Sequence, residues 1–411
     1  MTNGWTGGQY SLFRALFGLY LTVHFVALLP WGSEVFSSHG VIPNAGSSPF
    51  VHLFPNVLAL WDAPAVVTAL LAVAVAFSVL FAVGWWDRAA ALGLWYALAC
   101  LFGRNPLTAN PSLPFVGWLL LAHVLLPPAP FGSWAGRGAP DARAGWRMPP
   151  TIFGAAWVLM AVGYSYSGYT KLVSASWLDG TALARVLDNP LARPSWLREM
   201  FLRLPDRVLA LATWGGLALE LGFAPLALVG ALRPWLWLAM LGMHLGLLSL
   251  VDFADLSLGM VVLHLFTFDP RWLSARPGAT ATIFYDGHCG LCHRVVRFVL
   301  SEDRAGAFRF APLDSAAFAA EVPVGRRAGL PDSMIVRTAD GRFLARAAAV
   351  GHVLRRLGGA WVALGWMVTL VPAALADRAY DAVAGVRRRL FRAPVEACPV
   401  MPAELRSRFD T

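Results

Sequence analysis

The sequence predicts a polytopic α-helical membrane domain with six to eight spans, followed by a small α/β domain. Of the 411 residues, 57% are hydrophobic and only 14% are charged, which is too apolar for a soluble protein of this size. This apolar excess ends near Arg271, and the charged fraction rises sharply after it. We therefore predict a membrane domain over residues 1–272, a linker over 273–280 and an α/β domain over 281–411.

The membrane domain contains eight apolar segments that are candidate spans, because a transmembrane helix needs about 20 apolar residues. In chain order they are residues 11–30, 64–84, 89–103, 115–130, 151–170, 207–231, 234–250 and 254–268. The third and the eighth segments are short, so the predicted number of spans is six to eight. Residues 1–9 lack the basic start of a signal peptide, and the first segment is therefore expected to remain as a span.

Basic residues in short loops predict the orientation of the spans. Lys and Arg are absent between Arg14 and Arg88, which places the first long loop outside, whereas the arginine-rich loop 131–147 belongs inside. Eight spans then place the C-terminal domain in the cytoplasm. The arginine triplet at 387–389 agrees with this, because anionic lipid attracts such clusters. The basic segment 171–207 disagrees, because eight spans place it outside.

The expected location is thus the cell (inner) membrane, with several spans and lipid as a partner. We interpret the net charge of +9 as a signal of membrane orientation. The sequence has no basic stripe with interleaved aromatic residues, so we predict no nucleic-acid partner.

Residues 282–300 are predicted to form a strand, a turn and a helix that begins with a Cys-x-x-Cys pair. The β-branched and aromatic run 282–285 is typical of a buried strand, and Asp286-Gly287 is typical of a turn. Apolar residues then recur at helical spacing, with charged residues on the other face. Cys289 and Cys292 therefore fall at the first turn of the predicted helix.

This position favours thiol chemistry, because the unsatisfied N–H groups and the dipole at a helix start stabilise a thiolate. Cys289 lies nearest the helix start and is assigned as the attacking sulfur, and Cys292 would resolve the mixed disulfide. His288 and His293 would tune the pair when they are protonated. In the predicted cytoplasmic location thiols are kept reduced, so such a pair is expected to be catalytic rather than structural.

Three other interpretations of the cysteine pair stay open. Residues 289–293 also spell the CxxCH pattern of c-type haem attachment. A zinc site would need a second pair of ligands, for which the sequence offers only Cys398 and scattered histidines. The two cysteines could also be buried and inert. We predict no metal and no covalently bound cofactor.

The same stretch is similar to the DCC family of small thioredoxin-like proteins, whose Asp-Cys-Cys signature is matched by Asp286, Cys289 and Cys292. Further matches are the family's strand and hairpin at residues 332–336 and 340–342, its following helix at 347–361, and its tail at 378–380 and Cys398. The resemblance covers roughly the last third of the chain and implies a thioredoxin-like fold with thiol–disulfide oxidoreductase activity. It also implies that Pro331 faces the cysteine pair. Cys398 is either a third redox thiol or a spare one.

Several ionisable residues interrupt the apolar segments and are candidate sites, because such groups are unfavourable inside a membrane. They are His24, His123, Lys171, Glu220, His244 and His264. Lys171 closes a segment, so it either marks a site or extends its ammonium group to the interface. Glu220 and His244 lie in the middle of segments, where pairing across adjacent helices would satisfy both. That pair would be either structural or catalytic.

Residues 164–183 resemble the HTTM family, the membrane domain related to vitamin K-dependent γ-carboxylase. The residues that match are Ser167, Gly168, Lys171, Leu172, Trp177 and Gly180, with supporting matches elsewhere in residues 11–272. The resemblance implies that Lys171 is the base in the oxidation of a reduced quinone. The counterpart of the family's Asn-His pair reads Asn110-Pro111, and the missing histidine argues against carboxylation.

The predicted function is therefore dithiol–disulfide exchange by a membrane-bound thiol–disulfide oxidoreductase. Its partners would be a thiol-containing protein or small molecule and a lipid-soluble quinone of the menaquinone, ubiquinone or vitamin K type. The residues expected at the quinone site are Lys171, Trp177, Glu220 and His244. Two alternatives stay open, namely a carboxylase-like enzyme that modifies peptides and a membrane scaffold or transporter without enzymatic activity.

Overall fold

The computed structural model describes residues 2–137, 145–274, 278–327, 330–331, 333–391 and 403–410. Contacts divide the chain into two units. The membrane unit comprises Phe13–Leu126 and Pro149–Phe268, and the thiol unit comprises Asn3–Leu12, Pro127–Met148 and Asp269–Thr411. The change at residue 269 lies close to the predicted end of the membrane domain. The grouping of the two earlier segments with the thiol unit has no counterpart in the sequence prediction.

The membrane unit is mostly helical, and each of the eight predicted apolar segments overlaps a helix, although residues 126–130 of the fourth segment lie beyond the end of its helix. Its helices are α1 (Gly7–Leu28), α2 (Gly32–Phe36), α3 (Val57–Leu60), α4 (Pro64–Val83), α5 (Asp87–Arg104), α6 (Leu113–Leu125), α7 (Pro150–Lys171), α8 (Ala175–Leu178), α9 (Ala182–Leu187), α10 (Trp196–Leu202), α11 (Asp206–Ala227), α12 (Arg233–Leu250) and α13 (Ala254–Thr267). The first residues of α1 are those that group with the thiol unit.

Proline and glycine set several of these helix boundaries. Proline occupies the first or second position of α4, α6, α7 and α12, where its missing N–H group needs no partner. Helix α4 ends at Gly84, whose φ of 76° suits glycine and whose N–H donates to the carbonyls of Leu80 and Phe81. The local sequence thus explains where the longer helices start and stop.

The expected number of six to eight spans is not confirmed. Within the described residues, four helices are long and apolar enough to cross a membrane, namely α1, α4, α11 and the stretch Gly230–Leu250. A fifth candidate is the pair Ala360–Leu370 and Ala373–Arg387, which is bent by 111°. Helices α6 and α13 have only 13 and 14 residues. At about 1.5 Å per residue they are shorter than a bilayer core of about 30 Å.

The thiol unit contains the predicted α/β domain, built on a four-stranded sheet in the order β2-β1-β3-β4. Its strands are β1 (Ala281–Tyr285), β2 (Phe308–Pro312), β3 (Ile335–Arg337) and β4 (Phe343–Ala345). Strand β1 pairs in parallel with β2, and the pairs β1–β3 and β3–β4 are antiparallel. The helices are α14 (Gly290–Glu302), α15 (Ala316–Glu321), α16 (Val324–Arg327), α17 (Arg346–Leu357), α18 (Ala360–Leu370), α19 (Ala373–Leu390) and α20 (Ala403–Arg406).

The expected helix over 347–361 is divided into α17 and α18. The break falls at Gly358 and Gly359, whose φ angles of 80° and 60° are unfavourable for other residues. Two adjacent glycines in this conformation end α17 and redirect the chain into α18.

Strand β1 lies at the centre of the sheet and is buried along its whole length. Successive side chains of a strand point to opposite faces. Accordingly Ile283 packs in one core with Val296 and Val299 of α14, whereas Phe284 packs in a second core with Ile335. Burial on both faces fixes the position of the carboxyl end of β1. The cysteine loop, residues 286–289, begins there.

Candidate functional site

The cysteine pair lies between the central strand and the helix that follows it, as predicted. Strand β1 ends at Tyr285, and α14 begins at Gly290 with Cys289 as its N-terminal capping residue. The Sγ of Cys289 accepts a hydrogen bond from the backbone N–H of Cys292, 3.4 Å away. Both cysteines are free thiols. The capping sulfur therefore occupies the position where a helix start stabilises negative charge.

The two sulfurs have different surroundings. Cys289 is only 3% exposed, whereas Cys292 is half-buried and lines an apolar cavity. Burial, together with the hydrogen bond and the charge of Cys289, raises the pKa of the Cys292 thiol to about 12. Cys292 therefore keeps its proton at neutral pH, whereas the Cys289 sulfur receives the helix N–H. The Cys289 sulfur is thus almost enclosed, whereas the Cys292 sulfur faces the cavity.

Asp286 organises the loop that carries Cys289. Its Oδ1 accepts the backbone N–H of His288 at 2.9 Å, and its carbonyl accepts the N–H of Cys289 at 3.2 Å. Its carboxylate also lies 3.7 Å from the guanidinium of Arg387, which is buried in α19. The positive charge of Arg387 acts to lower the pKa of Cys292 and partly opposes the effect of burial.

The two histidines flanking the pair play different roles from each other. The His288 side chain is 81% exposed and lies 3.6 Å from Asp314, which is 69% exposed, so solvent screens this surface pair. His293 Nε2 lies 2.8 Å from the carbonyl of Gly287 and must carry the proton, because a carbonyl only accepts. Its ring packs edge-on against Tyr285. His293 thus braces the cysteine loop rather than pointing its proton at a sulfur.

Two further predicted residues receive little support from the described geometry. Pro331 is half-buried, and its carbonyl accepts the N–H of Ser333 at 2.7 Å, just before β3. That Pro331 faces the cysteine pair stays a prediction. Cys398 lies outside the described residues, as do Asp332 and residues 275–277 of the predicted linker. Among the residues that are described, no group of three or more His, Cys, Asp and Glu side chains is placed to hold a metal.

In the membrane unit, the structure brings together three of the residues predicted for a quinone site. Lys171, at the end of α7, forms an ion pair with Glu220 in the middle of α11. The Lys171 Nζ also lies 4.4 Å from the ring centroid of Trp177. The close approach of α7 to α11 depends on Gly168, because a Cβ there would lie 2.7 Å from the backbone nitrogen of Leu221.

His244 does not form the expected pair with Glu220. Its Nε2 lies 2.9 Å from the hydroxyl of Tyr164, which lies 3.3 Å from Nε2 of His264. All three side chains are buried. Tyrosine was not singled out in the sequence, yet its hydroxyl joins two histidines that lie on different helices.

Sequence reasoning also missed a second polar cluster in the membrane unit, centred on Asp255. One carboxylate oxygen lies 2.9 Å from His24 Nδ1 and 3.0 Å from the Tyr20 hydroxyl, and the other accepts from Asn110 Nδ2 at 2.6 Å. Tyr20 and His24 lie one turn apart on α1, whereas Asn110 and Asp255 come from two other parts of the chain. His24 was a predicted candidate, but nothing in the sequence links it to Asn110 or Asp255.

Comparison with known proteins bears on the C-terminal part of the chain. No curated protein and no solved structure matches the sequence. The resemblance of the preceding part to the HTTM family stays a prediction. Residues 283–393 match the family model described as DCC1-like thiol-disulfide oxidoreductase. The match includes both cysteines of the capped helix and supports a thiol–disulfide oxidoreductase function for the C-terminal domain.

Proposed function

We propose that the protein is a membrane-bound enzyme that exchanges dithiols and disulfides at Cys289 and Cys292 in a thioredoxin-like domain. The observation that carries the proposal is the capping position of Cys289, whose sulfur accepts the backbone N–H of Cys292 in the first turn of α14. In the reaction, the Cys289 thiolate attacks a substrate disulfide and forms a mixed disulfide. Cys292 then attacks the Cys289 sulfur, and the substrate leaves as a thiol.

The surroundings of Cys292 give this sequence of steps a physical basis. Two of the influences that raise the Cys292 pKa, a hydrogen bond and a negative charge, come from Cys289. Both disappear once Cys289 is tied up in the mixed disulfide. The charge of Arg387 then remains to favour the Cys292 thiolate. Cys292 is thus held as a thiol until its attack is needed.

The test uses the full chain in lipid with a small disulfide substrate. The Cys292→Ser variant is expected to accumulate a mixed disulfide on Cys289, and Cys289→Ser is expected to accumulate none. Cys100→Ser, at a buried cysteine of α5, is the control and should exchange as fast as the wild type. A mixed disulfide on Cys292 in the Cys289→Ser variant would reverse the assigned roles. Unchanged exchange in both variants would refute the enzymatic function and favour a scaffold or transporter.

A second candidate function concerns Lys171 in the membrane unit. The Lys171–Glu220 ion pair beside Trp177 places a proton acceptor next to the ammonium group. We propose that Glu220 takes up this proton and that the neutral Lys171 amine then acts as the base for a reduced quinone, either in redox chemistry or in a carboxylase-like reaction on a peptide. Product that depends on bicarbonate as well as on reduced quinone identifies the carboxylase-like reaction. Loss of quinol consumption in Lys171→Ala identifies Lys171 as part of the site, and unchanged consumption excludes it.

A further inference from the structure

Cys292 lies in the wall of a cavity of about 610 Å³ within the thiol unit. This volume falls in the range of roughly 300–1,000 Å³ that is usual for small-molecule sites. The floor consists of buried aliphatic side chains from β1, α14 and α17, among them Ile283, Val299 and Val353. Among the lining residues that the structure describes, Arg387 is the only one with a charged side chain. The cavity therefore suits an apolar molecule whose reactive end meets a sulfur.

The opposite side of the cavity is formed by the bent helix pair α18–α19. Here the lining residues Val371, Leu375 and Val383 are themselves 39%, 59% and 53% exposed. Next to them on α18, Trp366 and Leu370 are also exposed. A contiguous apolar surface of this kind is unfavourable in water and is typical of a membrane-facing helix. The cavity thus runs from a lipid-compatible surface to the redox thiol.

The chemistry of the thiol pair limits which class of molecule could react in the cavity. Two thiols that become a disulfide release two electrons and two protons. A plain lipid would fit the apolar walls but accepts no electrons. We propose that the cavity binds a prenylated quinone taken from the bilayer, and that the Cys289–Cys292 dithiol reduces it to the quinol. This inference rests on the proposed thiol–disulfide function and names the electron acceptor of the same site.

The reaction balances with the groups present. The Cys292 sulfur adds to the quinone ring, and its proton passes to a ring carbonyl oxygen. The Cys289 thiolate then attacks the Cys292 sulfur, so that the S–S bond forms and the S–C bond breaks. The electron pair of that bond remains on the ring. The quinol anion takes up the proton that Cys289 released earlier, and the products are one disulfide and one quinol.

The experiment follows the oxidation of the reduced, full-length protein by a long-chain prenylated quinone in liposomes. Quinol formation is measured by absorbance, and the cysteines are measured by thiol trapping. In the wild type we expect one quinol for each disulfide. Ala376→Trp places an indole in the cavity wall and is expected to slow oxidation by quinone at least tenfold. Ala382→Trp, at an exposed site on the same helix, is the matched control and should stay within twofold of the wild type.

Further measurements separate this inference from a quinone site in the membrane unit and from misfolding of the variant. Lys171→Ala tests the alternative quinone site, and loss of the oxidation of the cysteines by quinone in that variant would move the quinone to the membrane unit and overturn the inference. Equal rates for the two tryptophan variants would also overturn it. Exchange with a small disulfide should be unchanged in Ala376→Trp, which shows that the domain is folded. A prenyl alcohol without a quinone ring should compete in the wild type, and absence of competition would count against the cavity.

The inference and the proposed function fail in distinguishable ways. If the wild type exchanges with a small disulfide but is not oxidised by quinone, the cavity proposal is wrong and the thiol–disulfide function stands. If the wild type undergoes neither reaction, the proposed function itself is wrong.

Discussion

Glu302 is expected to hold the N-terminal segment onto the end of the helix that carries both cysteines. Its carboxylate is 2% exposed and lies at the last residue of α14. It accepts hydrogen bonds from the Thr6 hydroxyl, from the backbone N–H of Gly8 at 2.8 Å and from the Trp361 indole N–H at 2.7 Å. All of these groups belong to the thiol unit. We predict that Glu302→Ala strongly destabilises this unit.

The magnitude follows from the donors left behind. A buried donor without its acceptor destabilises the folded state by roughly 1–3 kcal/mol. The substitution leaves three donors without an acceptor. The two donors on residues 6 and 8 lie at the start of α1, where local opening of the helix end restores their hydration. We therefore expect a loss of about 3–5 kcal/mol in the free energy of unfolding, well above the typical single substitution of about 1 kcal/mol.

Chemical unfolding of the full chain in lipid, combined with hydrogen exchange of residues 3–12 and 290–302, measures this loss. Glu321→Ala is the matched control, because Glu321 forms a partly exposed ion pair with Arg337 at 3.2 Å. Removal of that pair should change stability by at most about 1 kcal/mol. A Glu302→Ala variant that is no less stable than Glu321→Ala, with unchanged exchange in both segments, would refute the assignment of Glu302 as an anchor.

Burial also raises the pKa of Glu302, despite the hydrogen bonds that oppose this shift. The folded state therefore holds the carboxyl proton at pH values where the unfolded chain has lost it. This contribution to stability is favourable at low pH. It declines as the pH rises from the ordinary glutamate pKa of about 4.3 through the raised folded value. Glu302→Gln should lack this decline, and a wild type with the same pH profile would contradict the reasoning.

Two further substitutions test the packing of the membrane unit and the charge near the thiols. Gly168→Ala should destabilise the membrane unit by about 1–3 kcal/mol in thermal unfolding, because its Cβ would press on the backbone of α11. Gly215→Ala, which meets nothing within 4 Å, should be neutral or stabilising. Arg387→Gln should raise the pKa of Cys292 and shift its alkylation to higher pH, as resolved by mass spectrometry. Arg389→Gln, at an exposed position two residues further along α19, should leave that alkylation profile unchanged.

The local features of the cysteine site were predictable because they depend on adjacent residues. A β-branched run, an Asp-Gly turn and a helical apolar pattern suffice to place Cys289 at the helix start, and β1 and α14 confirm this. The break between α17 and α18 was missed, although Gly358-Gly359 marks it in the sequence. Tandem glycines were overlooked because the apolar pattern continues on both sides of them.

Features that depend on distant residues were not predictable in the same way. Arg387 was interpreted only as part of a lipid-facing triplet, whereas its guanidinium lies near Asp286, about a hundred residues earlier in the chain. Glu220 and His244 were paired because both are polar in the middle of apolar segments. Polarity shows that a partner is needed but does not identify it, and Lys171 and Tyr164 are the partners that the packing supplies.

The position of the cavity decides whether electrons need to pass between the thiol unit and the membrane unit. If the quinone site were at Lys171, electrons would have to pass between the cysteines and the membrane unit. A cavity that opens on an apolar helix bend and ends at Cys292 requires no such path, because the quinone accepts the electrons at the sulfur itself. The Lys171 site proposed above would then act independently of the cysteines. Loss of the oxidation of the cysteines by quinone in Lys171→Ala would therefore contradict this arrangement.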